Sequence, residues 1–198
     1  MKKTLVIILV YLISSVVVYG EKVVGNYTLS YFNKSYEIQA SEIENGKFSI
    51  YIYVQGERKT TPVLFSIESD EVEKFNKSFL QISDKFREWR KVAKDNNVTD
   101  LRKDVDIKIP SVTIGWLSSE WHFSFRNSIN ARYIILEDGR DVMIIAKEAT
   151  SATNKYIKQK IYWVFAEPEE IDDLVTELNV DKISAELAKV DEALDLFE

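Results

Sequence analysis

Aromatic side chains are the residues of this chain whose types and spacing point most clearly to recognition chemistry. Trp116, Trp121 and His122 lie close together in one segment, and Tyr51 and Tyr53 lie in an earlier apolar segment. Exposed aromatic rings on a sheet stack on sugar rings or anchor a partner protein. We therefore predict that these residues form a binding surface for a protein or a glycan. Burial in the core is the alternative for each ring that shares a face with isoleucine or valine.

His122 is the only histidine of the sequence, and it lies between Trp121 and Phe123. A histidine acts as a general base or a metal ligand when a carboxylate or a second ligand lies beside it. Glu120 lies on the same side of the predicted strand, but no other residue completes a site there. The sequence therefore favours packing for His122, and it predicts neither a metal site nor a cofactor.

The sequence motifs of nucleophilic catalysis and of phosphate binding are missing. The chain contains no G-x-S-x-G or H-E-x-x-H segment, and its six glycines form no phosphate-binding loop. The absence of cysteine excludes zinc fingers, thioredoxin-like proteins and cysteine proteases. A pair of carboxylates acting on a glycan stays open, because such pairs depend on distance in three dimensions. We therefore predict a non-catalytic binding module, with a carboxylate-dependent hydrolase of cell-wall or host glycans as the alternative.

The charge of the chain argues against nucleic acid as a partner. Its 26 basic and 32 acidic residues give a formal net charge of −6 at pH 7. Such a chain repels phosphate backbones and anionic membranes unless its basic residues cluster. The densest group of basic residues comprises Lys85, Arg87, Arg90, Lys91 and Lys94. We interpret this group as the solvated end of a helix.

The amino terminus has the order of a secretory signal peptide. Lys2 and Lys3 precede an uncharged apolar run from Leu5 to Val18, and Gly20 provides a small residue before Glu21. We predict that residues 1–20 are a cleaved signal peptide and that the protein is bacterial and exported, to the periplasm, the cell surface or the medium. Membrane contact is expected only through this segment if it stays uncleaved. Residues 21–198 are predicted to form one domain.

Hydrophobic periodicity predicts the elements that position these residues. Strand-like alternation covers residues 22–67 and 105–165, with turns at Asn45-Gly46 and Asp138-Gly139. One long helical stripe lies between the two strand regions, at Val72, Phe75, Phe79, Ile82, Phe86 and Trp89. Two further helices are predicted in the tail, residues 165–198. We therefore predict an α+β fold, in which a curved, mostly antiparallel sheet packs against one long amphipathic helix and carries a two-helix C-terminal tail.

Overall fold

The computed structural model describes the backbone of residues 21–195. The predicted signal segment, residues 1–20, lies outside the described residues. No helix among residues 21–195 is long and apolar enough to cross a membrane.

The described residues form the predicted α+β fold. The strands are β1 (Lys22–Leu29), β2 (Lys34–Ala40), β3 (Ser49–Gly56), β4 (Val63–Glu68), β5 (Leu101–Asp104), β6 (Val112–Leu117), β7 (Trp121–Asn127), β8 (Ala131–Ile135), β9 (Asp141–Thr150) and β10 (Lys158–Phe165). The helices are α1 (Val72–Asp95), α2 (Pro168–Glu177) and α3 (Val180–Asp195). The long helix and the two C-terminal helices lie where the sequence predicts them.

The strands form one antiparallel open sheet that branches at β3. Its main path runs β5-β8-β9-β10-β3-β4-β6-β7, and β1 and β2 form the side branch. The first half of β3 pairs with β2, as Ile52 does with Ile38, while its last residues pair with β10. The strand β3 is therefore central, as its apolar residues on both faces predict.

Helix α1 packs its aromatic stripe against one face of the sheet, which we call the inner face. Phe75, Phe79 and Phe86 are fully buried on α1. Trp163 of β10 lies between the helix and the sheet, with its ring centroid 5.2 Å from that of Phe79 and 5.1 Å from that of Phe65. This aromatic cluster forms the centre of the hydrophobic core in a chain that has no cysteine.

Local side-chain hydrogen bonds lie at the starts of two helices. Ser69 precedes α1 in a 3-10 turn, and its hydroxyl accepts from the Phe48 amide. At the start of α3 the Asn179 side chain accepts from the Lys182 amide at 2.9 Å, whereas Asp181 lies within the helix. Asparagine is as good a cap as aspartate, and here it occupies the correct position before the first turn.

Two other segments also differ in detail from the sequence-based expectation. The alternation from Val105 to Ile109 predicts a strand, but β5 ends at Asp104, and beyond it only the Val105 amide still donates to the neighbouring Ala131 carbonyl. Its alternation reflects the burial of Val105 and Ile109. The hairpin at Asp138-Gly139 is present, but only Gly139 has a positive φ, so the turn is not type I′.

Buried tyrosines predict a loss of stability in alkali. Burial raises the pKa of Tyr36 and of Tyr53 to about 12, and the Tyr36 hydroxyl donates to Gln55 at 3.0 Å. The pKa of these tyrosines in the folded protein therefore exceeds the ordinary value of 10.0. The stability that their protonated hydroxyls contribute is complete below pH 10 and is lost as the pH rises toward 12. We expect urea midpoints to fall over this range, with tyrosinate absorbance appearing together with unfolding. Tyrosinate absorbance from most tyrosines in a still-folded protein would contradict the account.

Candidate functional site

The sheet has an outer face that points away from α1, and cross-strand pairing fixes which residues lie on it. Tyr53 pairs with Leu64, Leu64 with Gly115, and Gly115 with Phe123. Because side chains of paired residues lie on the same side of a sheet, this row crosses β3, β4, β6 and β7 on one face. The adjacent row, which begins with Ile52 and Phe65, lies on the inner face and is fully buried.

Three aromatic residues of β7 form a continuous row on the outer face. The ring centroids of Trp121 and Phe123 are 6.1 Å apart, and those of Phe123 and Phe125 are 6.4 Å apart. The ring planes are nearly parallel, at 19° for the first pair and 14° for the second. Trp121 and Phe123 are partly buried, whereas 63% of Phe125 is exposed. We call Trp121, Phe123 and Phe125 the aromatic row.

Gly115 makes room for the centre of the aromatic row. A Cβ atom on Gly115 would lie 3.0 Å from a ring carbon of Phe123 and 3.1 Å from a methyl group of Leu64. Both distances are shorter than ordinary van der Waals contacts, so a larger residue would displace the Phe123 ring. The glycine therefore lets Phe123 lie against β6 and cover Leu64, which is almost completely buried.

A β-bulge presents the end of the aromatic row. The pairing of β6 with β7 shifts between Val112 and Ile114, and Arg126 has a left-handed backbone with φ of 54°. The side-chain Nδ2 of Asn127 holds this bulge by donating to the Ser124 carbonyl at 2.7 Å. Left-handed backbone is uncommon for a residue with a side chain, and bulges at sheet edges often mark functional sites. The bulge leaves Phe125 and Arg126 exposed side by side.

Hydroxyl and amide groups surround the rings on the outer face. Tyr51 and Tyr53 are partly buried on β3, and the Tyr53 hydroxyl donates to the Gln39 side chain at 3.3 Å. Ser66 and Thr113 pair with each other between Tyr51 and the end of β7, and both are partly exposed. The outer face therefore combines aromatic surface with hydroxyl and amide groups, and the carboxylates of Glu68 and Glu37 lie close to Tyr51 and Tyr53.

Trp116 and His122 lie on the inner face and not with the other predicted site residues. Their relative exposures are 1% and 4%, and their ring centroids are 5.7 Å apart. The His122 Nε2 atom lies 3.0 Å from the Ser118 hydroxyl. Because strand alternation turns His122 away from Trp121, the structure brings only Trp121, Tyr51 and Tyr53 of the predicted residues to the outer face. Trp116 and His122 contribute to the core there and present no binding surface.

Phe125 and Arg126 are residues of this surface that the sequence-based site prediction did not include. The alternation of Trp121, Phe123 and Phe125 is visible in the sequence and predicts a shared face. Which face is exposed follows from the position of α1, and the left-handed Arg126 follows from the pairing of β6 with β7. Neither feature has a sequence signal of its own.

The aromatic row lies at the β7 edge of the sheet, which differs from the β1 and β5 edges in the side chains that it carries. Strand β1 is covered by α2, so that a Cβ on Gly25 would lie 2.6 Å from a Glu177 carboxylate oxygen. Strand β5 is short and carries the charged residues Arg102, Lys103 and Asp104, which protect an edge from pairing. Strand β7 instead carries three aromatic residues, and its Phe123 carbonyl accepts from the Ala152 amide at 2.8 Å.

The outer face therefore presents aromatic side chains at an edge of the sheet. Within residues 21–195 no group of three or more histidine, cysteine or acidic side chains is placed to hold a metal ion. Comparison of the chain with protein-family models, curated proteins and solved structures finds no match.

Proposed function

We propose that this protein is a non-catalytic binding module that recognises a glycan through the outer face of its sheet, centred on the aromatic row. The observation that carries the proposal is the exposure of Phe125, which is 63% at the end of three nearly parallel rings. An isolated exposed aromatic side chain is ordinary, but Phe125 continues a row of two partly exposed rings at a sheet edge, and clustered apolar surface of this kind is typical of an interaction site.

Hydroxyl groups near the aromatic row favour a glycan over a protein as the ligand. Sugar rings stack on aromatic faces and use their hydroxyls for hydrogen bonds, which matches Thr113 on the neighbouring strand and its cross-strand partner Ser66. Protein hot spots also use aromatic residues, but they cluster within well-packed pockets. A protein ligand is the other outcome of the test.

The proposal includes export, because the amino-terminal sequence has the order of a signal peptide. The basic, apolar and small-residue segments of residues 1–20 support this reading. An exported binding module would meet cell-wall or host glycans in the periplasm, at the cell surface or in the medium. The absence of cysteine is compatible with these oxidising compartments, since the aromatic core stabilises the fold without disulfides.

The arrangement of acidic residues supports binding more than hydrolysis. A glycosidase needs two facing carboxyl groups that reach the scissile bond. In the concave region between α1 and β9, the carboxylates of Asp141 and Glu167 both accept hydrogen bonds from Arg90. Their oxygens are engaged in holding the fold together, so this region offers no free pair.

A ligand screen by thermal unfolding tests the proposal. We expect one class of cell-wall or host glycan to raise the midpoint of the purified protein, while calcium and unrelated peptides have no effect. A ligand at 100 times its dissociation constant adds about 2.7 kcal/mol of stability, which is readily measured. A rise of the unfolding midpoint with peptides alone would show that the ligand is a protein and not a glycan. No shift with any glycan would contradict it.

A further inference from the structure

A groove separate from the outer face lies between α1, the β8–β9 hairpin and the start of α2. Its volume is about 750 Å³, which is the size of a small-molecule site. Three basic side chains line it, from Arg90, Lys94 and Arg140, together with the acidic Asp141 and Glu167. Basic side chains are thus in excess here, although the whole chain carries a net charge of −6. We call this the cationic groove.

The floor of the groove is a rigid hydrogen-bonded network around Arg90. The Arg90 Nε donates to Asp141 at 2.8 Å, and its two terminal nitrogens donate to the Glu167 carboxylate and the Ala166 carbonyl. Tyr133 donates to the same Asp141 oxygen at 2.9 Å. The guanidinium also lies over the Phe86 ring, 4.4 Å from its centroid. The head group of Arg90 is therefore fixed in position before any ligand binds.

Arg90 still has hydrogen-bond donors available. A guanidinium carries five N–H groups, and the network above accounts for three of them. One N–H on each terminal nitrogen is not used by this network, and Arg90 lines the groove. A guanidinium N–H donates a charge-assisted hydrogen bond to an oxygen of a carboxylate or a phosphate.

Lys94 and Arg140 supply positive charge at the rim. Lys94 follows Arg90 by one helical turn and therefore lies on the same face of α1, although like charges at this spacing repel. Arg140 pairs with Asp138 on the surface, and both side chains are largely exposed, so this pair is weak. Asp138, and to a smaller extent the Tyr31 phenol, raises the pKa of Arg140, and the Tyr31 ring lines the groove.

The basic group of α1 divides into paired residues and one unpaired residue. Lys85 pairs with Glu88, Arg87 with Asp172, Arg90 with Asp141, and Lys91 with Asp95. Within the described residues Lys94 makes no ion pair. The member of the group that lacks a counter-charge is therefore the one that lies at the cationic groove.

We propose that the cationic groove binds a small organic oxyanion, a carboxylate or a phosphate ester, through Lys94, Arg140 and the two remaining N–H groups of Arg90. Oxyanions form short, strong hydrogen bonds with these groups. The concave shape and the limited volume suit a small molecule, whereas a nucleic acid would require an extended basic surface. This site is independent of the glycan-binding proposal, because its residues lie outside the outer face.

Calorimetric titration at low ionic strength tests the proposal, with inorganic phosphate and citrate as separate probes. We expect at least one of the two to bind in the groove, and their relative affinities to distinguish a phosphate from a carboxylate ligand. Lys94→Ala and Arg140→Ala should each weaken binding about tenfold, since each removes a charge-assisted contact. Both side chains are exposed, so these variants should fold normally.

Lys77→Ala is the matched control, because Lys77 is an exposed lysine of the same helix that lies outside the groove. The Lys77→Ala variant should bind the probe with the same affinity as the unchanged protein. Added salt should weaken binding to both proteins. The proposal is overturned if neither phosphate nor citrate binds, or if the Lys77 and Lys94 variants lose the same affinity. Circular dichroism of each variant confirms that the fold is intact.

Discussion

Trp163→Ala is expected to lower the free energy of unfolding by about 3–5 kcal/mol, the range for a large aromatic removed from a core. Trp163 is fully buried, and its ring lies within 6.4 Å, centroid to centroid, of the rings of Phe65, Phe75, Phe79 and Phe165. These partners belong to the sheet and to α1, so the cavity would open where the two layers meet. Urea unfolding followed by circular dichroism measures the change.

Trp121→Ala is the matched control, because it removes the same side chain from the outer face. Trp121 is only partly buried and stacks on one ring, that of Phe123. We expect a loss of about 1 kcal/mol or less, the value of one aromatic pair. Equal losses for the two tryptophan variants would contradict the assignment of an inner and an outer face.

Arg90→Met is expected to destabilise the fold by about 2 kcal/mol, because it leaves two carboxylates without their cation. The Arg90 head group joins α1 to Asp141 at the start of β9 and to Glu167 before α2. Methionine keeps apolar contact with Phe86 but carries no charge. The loss of stability stays below that expected for a fully buried ion pair, since about a quarter of the Arg90 side chain is exposed.

Lys91→Met provides the comparison for Arg90, since the two residues are adjacent on α1. The Lys91 side chain is largely exposed and pairs with Asp95 one helical turn away. Exposed pairs of this kind contribute about 0.3–0.5 kcal/mol. Both unfolding curves should be recorded at the same pH and ionic strength. A Lys91 variant as unstable as the Arg90 variant would contradict the role of Arg90 as the connection between layers.

The fold was predictable where the periodicity of the sequence is set by burial. The stripe of α1 from Val72 to Phe86 and the two helices of the tail agree with the structure, because their apolar periodicity has a local cause. The segment from Val105 to Ile109 also alternates in burial, yet it forms no strand. Alternation reports which side chains point inward, whereas pairing depends on whether a neighbouring strand is present.

The candidate site was predictable only in part, for a related reason. Strand alternation correctly separates His122 from Trp121, but alternation alone does not say which of two aromatic faces the helix covers. Trp116 and Trp121 therefore look alike in the sequence, and only the packing of α1 places the first inside. The donors of Arg90 at the cationic groove depend on Asp141 and Glu167, which are distant in sequence.

The central claim is that the aromatic row forms the binding surface, and the affinity of Phe125→Ala tests it most directly. Val92→Ala on α1 is the control, because Val92 is 53% exposed and Phe125 63% exposed. The ligand is the glycan class that stabilises the protein, and calorimetry gives its dissociation constant for each variant. We predict that Phe125→Ala weakens binding about tenfold or more with unchanged stability, while Val92→Ala binds as the unchanged protein does. Equal affinity of the two variants would contradict the account.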